Sequence, residues 1–145
     1  MLSEAFELEE ILGDFVSTWT SHGDKVKGYA NLFFGTFIVI MADETGTGVS
    51  GCSTDSSVRL IKDIEKRFQV QLFDRENLTF YINNKIQHLP LNQLAYAIEN
   101  SFIKSDTIYF NNLVLTKKEL EQNWLIPVRQ SWLAKRYDLK EKEVD

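Results

Sequence analysis

Residues 36–68 constrain this chain most. The run Thr36-Phe37-Ile38-Val39-Ile40-Met41-Ala42 is β-branched and almost unbroken in hydrophobicity. It predicts a strand, and its lack of polar alternation predicts a central one covered on both faces. A loop of small polar residues and glycines follows, carrying Gly46, Gly48, Ser50, Gly51, Ser53 and the only cysteine, Cys52. Beyond the loop, Val58, Ile61, Ile64 and Phe68 fall near helical spacing. An amphipathic helix therefore leaves the loop, with Thr54 or Asp55 placed to cap its first turn. Its apolar face is expected on the sheet that contains residues 37–41.

The remaining elements are read in order. Leu8, Ile11, Leu12, Phe15, Val16 and Trp19 recur every three or four residues, which predicts a helix over 3–21. His22-Gly23 ends it, with Gly23 as a left-handed cap. Strands are expected at 28–33 and 36–42, joined by a tight turn at Phe34-Gly35. A second hairpin is expected at 78–82 and 85–89 around Asn83-Asn84. Pro90 opens a third helix whose buried stripe is Leu91, Leu94, Ala95, Ile98 and Phe102. Residues 107–110 read as a strand, which 113–115 extend or reverse. Thr116-Lys117-Lys118-Glu119 is a capping box that starts a short helix. Pro127 begins a last helical segment with Val128, Ser131, Trp132 and Leu133. The expected fold is α+β: a single layer of mainly antiparallel sheet with packed helices, in the order α-ββ-α-ββ-α-β-α-α. Residues 1–145 are read as one compact domain, with the charged stretch 136–145 fraying.

Sixteen basic against 21 acidic residues give a formal charge of -5. That balance disfavours nonspecific binding to nucleic acid or to an anionic membrane, so neither is expected as a partner. A lone cysteine forms no internal disulfide. The start Met1-Leu2-Ser3-Glu4 lacks the basic residues and apolar core of a signal peptide. The longest apolar run is far too short to span a bilayer. The expected location is cytoplasmic.

No phosphate-gripping loop is present, because no lysine follows Gly51 at the required place. Gly46, Gly48 and Gly51 match the bare spacing of a dinucleotide-binding loop, but Gly51 is not expected to open a helix, and the hairpin that follows does not fit a βαβ unit. Two histidines and one cysteine give no zinc-ligand pattern. Neither a cofactor nor a metal is expected.

Two functional readings stay open. In the first, the chain is a binding or adaptor domain for a protein or small-molecule ligand, with Ser50, Gly51, Ser53 and Asp55 as contact residues. The free amides at a helix start suit an anion. A homodimer through an aromatic edge is a further partner under this reading. In the second, Cys52 is a thiolate nucleophile, His22 its base and Asp43 the group that orients His22. Amides at 51–53 would then hold an oxyanion, for acyl transfer, hydrolysis or thiol exchange. Each residue also has a plainer role. Cys52 fills space, His22 caps a helix end, Asp43 shapes a turn, and Asp55 caps a helix start.

Several short patterns carry a resemblance. They are Trp19-x-x-His22-Gly23, Phe37-Ile38-Val39-Ile40, Asp43-Glu44, Ser50-Gly51-Cys52-Ser53-x-Asp55-x-Ser57, Phe73-Asp74-Arg75 and Trp124-x-x-Pro127-x-x-x-Ser131-Trp132. Together they resemble a family of small uncharacterised bacterial proteins, mainly from the Bacteroidetes, some labelled ABC transporter ATPase. This chain lacks the loop that such a label requires. The resemblance implies one compact bacterial unit and brings no residue roles.

Overall fold

The computed structural model describes residues 2–44 and 51–137; for Leu2, Gly51, Cys52, Ser53 and Tyr137 it describes backbone alone. The fold is α+β, and every strand pair among the described residues is antiparallel. The expected order of helices and hairpins is present, with two short additions, a ribbon after the first helix and a strand before the last. The chain divides into two compact units, Met1–Leu72 and Phe73–Asp145.

The N-terminal unit begins with helix α1 (Leu2–Thr18), which buries Leu12 completely. The helix stops before Trp19, three residues earlier than its apolar period suggests. The Trp19 indole turns inward and lies against Gly28, where an added Cβ would meet the ring at 2.5 Å. Strands β1 (Thr20–Ser21) and β2 (Asp24–Lys25) then form a ribbon around His22-Gly23. His22 and Gly23 both have positive φ, 53° and 84°. That is the two-residue turn whose twist matches an antiparallel hairpin, and glycine takes its second position without strain. His22-Gly23 is therefore a hairpin turn and not the helix cap expected from the sequence.

Strands β3 (Gly28–Phe33) and β4 (Phe37–Ala42) pair along their full length through the expected turn, with Phe34 and Gly35 at φ 56° and 63°. Helix α1 lies along β3. Among the described residues β4 pairs with β3 alone, and all six of its residues are half-buried. This corrects the expectation of a central, doubly covered strand. A continuous apolar run is equally compatible with one member of a two-stranded ribbon.

Helix α2 (Gly51–Phe68) starts before the expected caps. Ser57 Oγ donates to the Thr54 carbonyl at 2.7 Å, so Thr54 and Asp55 are already inside the helix. Ile64 is buried, with Ile61 and Phe68 half-buried on the same side. Arg67 forms an ion pair with Glu7 of α1. Gln69 (φ 52°) ends the helix, and the Glu65 side chain accepts from the Leu72 amide at 2.7 Å.

The C-terminal unit is a four-stranded sheet in the order β6-β5-β7-β8. Its strands are β5 (Asn77–Ile82), β6 (Lys85–Pro90), β7 (Ile108–Phe110) and β8 (Leu125–Pro127). Asn83 and Asn84, both at positive φ, make the expected turn between β5 and β6. Helix α3 (Leu94–Glu99) follows a 3₁₀ turn at Leu91–Gln93 and buries Leu94 and Ala97. Ser101 (φ 59°) reverses the chain, so Phe102 leaves the expected stripe and is largely exposed, while Ile103 enters the core. Helix α4 (Lys117–Asn123) follows the expected capping box. Residues 113–115 form no strand, and the sheet's last member is instead β8. A 3₁₀ turn at Val128–Gln130 leads to helix α5 (Trp132–Tyr137). Leu78, Phe80, Leu94, Ala97, Ile103, Tyr109, Val128 and Leu133 form one buried cluster. Each large side chain among them contributes about 1.5–3 kcal/mol.

Candidate functional site

The residues expected to carry chemistry belong to three elements of the N-terminal unit. His22 is exposed at the tip of the β1–β2 ribbon, and α2 passes β1, the strand before it. Asp43 is exposed just after β4, with its amide donating to the Lys27 carbonyl at 2.8 Å. Cys52 is the second residue of α2. Asp55 is exposed in the same helix. Ser50 lies outside the described residues, as do the side chains of Cys52 and Ser53. Among the described residues, no three His, Cys, Asp or Glu side chains gather as metal ligands. No helix among them is long and apolar enough to cross a membrane.

The C-terminal unit holds a cleft of about 280 Å³, lined by Asn111, Leu113, Val114, Glu119, Asn123, Ile126 and Gln130. Three successive pieces of chain build it: the loop after β7, helix α4, and β8 with its 3₁₀ turn. The loop is tied at both ends. The Asn111 amide donates to the Trp124 carbonyl at 2.6 Å, and Asn111 Nδ2 donates to the Asn123 carbonyl at 3.2 Å. The Trp124 indole N–H donates to Asn112 Oδ1 at 3.0 Å, with the ring edge-on to Phe110. At the other end, the Glu119 amide donates to Thr116 Oγ1 at 3.1 Å, and the Glu119 carboxylate accepts from the Leu115 amide at 2.7 Å. The capping box thus serves two purposes. It starts α4, and it closes the loop over the cleft.

The lining has a definite chemistry. Three carboxamides and one carboxylate face three aliphatic side chains, with no lysine or arginine among them. Asn111 and Glu119 are engaged in holding the frame. Asn123 and Gln130 are exposed, and a carboxamide offers both donors and an acceptor. Leu113 and Leu115 stand 65% and 90% exposed on the loop. Two features of the sequence lie at the cleft, the interval between residues 107–110 and 113–115 and the capping box. Both read as local structure, because the cleft appears only once β8 pairs with β7.

The tryptophans are packed into the fold. Trp19 and Trp124 are buried. The Trp132 indole donates to the Tyr109 hydroxyl at 3.2 Å. Burial raises the Tyr109 pKa above its ordinary 10.0, and the hydrogen bond from Trp132 opposes that shift in part.

Comparison with family models, curated proteins and solved structures returned no match.

Proposed function

We propose that the chain is a small binding or adaptor domain that takes its ligand in the cleft of the C-terminal unit. The observation that carries this reading is the division of labour among the polar lining residues. Asn111 and Glu119 are bonded to the backbone and fix the frame, while Asn123 and Gln130 stand exposed beside a wall of Leu113, Val114 and Ile126. A fixed frame with a few polar groups over an apolar wall suits a ligand that combines amide or hydroxyl groups with an aliphatic portion. A short peptide segment has that character. A single cysteine, which forms no internal disulfide, suits a cytoplasmic setting for such a domain.

The test is a nuclear magnetic resonance titration of the whole chain with a panel of blocked leucine- and valine-containing dipeptides. Shifts should concentrate at residues 111–130, and Asn123→Ala with Gln130→Ala should abolish them at an unchanged melting temperature. Shifts confined to other residues would move the site elsewhere.

The position of Cys52 in the first turn of an 18-residue helix supports a second reading. The helix dipole favours a thiolate there. In this reading His22, oriented by Asp43, takes the Cys52 proton, and the thiolate attacks either an acyl carbonyl, expelling its amine or alcohol with that proton, or a disulfide, expelling one of its sulfurs as a thiol. Alkylation of Cys52 by iodoacetamide should then proceed well below the ordinary thiol pKa of about 8.5, with a profile altered by His22→Ala. An ordinary thiol profile indifferent to His22→Ala would exclude this pair.

A further inference from the structure

The two ends of the C-terminal sheet and the outer edge of β4 are built differently. Strand β6 carries Lys85 and ends in Pro90, and β8 has three residues and ends in Pro127. Charge, proline and shortness are the usual devices that stop an edge strand from pairing with another chain. Strand β4 has none of them. It is six residues of Phe37-Ile38-Val39-Ile40-Met41-Ala42, without charge or proline.

The hydrogen-bond phase of the ribbon shows which groups face its outer edges. The Asp43 amide donates to the Lys27 carbonyl, so residues 27 and 43 form a bonded pair. Bonded and non-bonded pairs alternate along an antiparallel ladder. Tyr29↔Met41, Asn31↔Val39 and Phe33↔Phe37 are therefore bonded, and Gly28↔Ala42, Ala30↔Ile40 and Leu32↔Ile38 are not. The backbone groups of Ile38, Ile40 and Ala42 point away from β3. On the other edge, the outward Leu32 amide is satisfied by Asn31 Oδ1 at 2.8 Å, and α1 lies along that strand. Among the described residues, no strand pairs with the β4 edge.

We propose that a second copy of this chain pairs there, antiparallel and with β4 against β4, on a two-fold axis through Ile40. This register alone engages all three outward residues. Ile40 pairs with its own counterpart, and Ile38 pairs with Ala42 of the other copy at each end. It also suits the charges. The uncharged strands meet without repulsion, and the acidic pair Asp43-Glu44 of each copy falls at opposite ends of the contact. The arrangement is isologous, so it closes at two copies. A strand pair of this length is small beside the roughly 1,600 Å² of a standard stable interface, so the dimer is concentration-dependent. It is independent of the cleft.

Sedimentation of the full chain from micromolar to millimolar concentration should show a monomer–dimer equilibrium. Ile40→Pro removes an outward N–H and leaves the β3 ladder intact, and should weaken association about tenfold or more. Cross-linking tests the register without depending on that variant's fold. In a Cys52→Ser background, Ile40→Cys should give disulfide-linked dimers with diamide, which takes up the two electrons and two protons that the two thiols lose. Paired Cα atoms at about 5.5 Å allow the bond. Ile38→Cys should give none by itself, because its two copies lie about 13 Å apart along the strands. Mixing it with Ala42→Cys should restore cross-linking. A monomer at every concentration overturns the proposal, and so does cross-linking at residue 38 as efficient as at residue 40.

Discussion

The two units spend their apolar residues in different ways. In the C-terminal unit, Phe80, Leu94, Val128 and Leu133 are fully buried in one cluster, and Phe110 is fully buried against Trp124. In the N-terminal unit, the most apolar strand of the chain, β4, is half-buried throughout, and the fully buried large side chain among its described residues is Leu12. The sequence is about equally hydrophobic in the two units. A two-stranded ribbon simply has less face to cover than a four-stranded sheet, and its edges are a larger share of it. Apolar content therefore does not measure core formation; the number of strands that share a face does.

The comparison is broken most directly by core truncation. Phe80→Ala should cost about 3–5 kcal/mol, since the ring is wholly enclosed and packs at a tilt against Tyr109, with centroids 5.4 Å apart. Leu12→Ala should cost about 2–3 kcal/mol, because a helix on a narrow ribbon can settle into the space left. Denaturant unfolding gives both values. Hydrogen exchange of the parent chain should show slower amides in β5 and β7 than in β3 and β4. Equal protection in the two sets would erase the distinction.

Gly28→Ala sharpens it from the other side. The added methyl would meet the Trp19 ring, and the indole has to move with its strand contacts, at a cost of about 1–3 kcal/mol. Exchange should accelerate in the N-terminal unit.

Much of this was legible in the sequence, and the failures have physical causes. The hairpins at Phe34-Gly35 and Asn83-Asn84 and the Thr116 cap were readable because their chemistry is local. His22-Gly23 was misread because a left-handed glycine ends a helix and closes a hairpin with the same backbone angles. The early start of α2 was hidden, because Thr54 and Asp55 are good caps that a longer helix can still absorb. The cleft was not readable at all. Its wall depends on β8, and nothing in Leu125-Ile126-Pro127 shows that it will pair with β7.

Two smaller effects complete the series. Tyr109→Phe should cost about 1 kcal/mol at neutral pH, since the Trp132 N–H loses its partner. It should also flatten the alkaline limb of stability. The Tyr109 pKa is raised in the folded state, so the contribution of its neutral form is complete below pH 10 and is lost as pH climbs through the folded-state value. Unfolding midpoints measured at rising alkaline pH should fall less steeply in the variant. Phe34→Asn should have an effect of similar size and the opposite sign. A bulky residue at φ 56° is strained, and asparagine tolerates that region, so a gain of about 1 kcal/mol is expected in thermal unfolding.

The packing of Trp19 on Gly28 has an optical consequence. The chain has three indoles, at 19, 124 and 132, and the last two both belong to the C-terminal unit. With those two replaced by phenylalanine, the remaining emission comes from a ring pressed against a bare backbone and 4.9 Å from Phe15. Its colour would report the opening of the ribbon alone. The first unit thus carries its own fluorophore, set at the junction of the helix and the hairpin that its stability depends on.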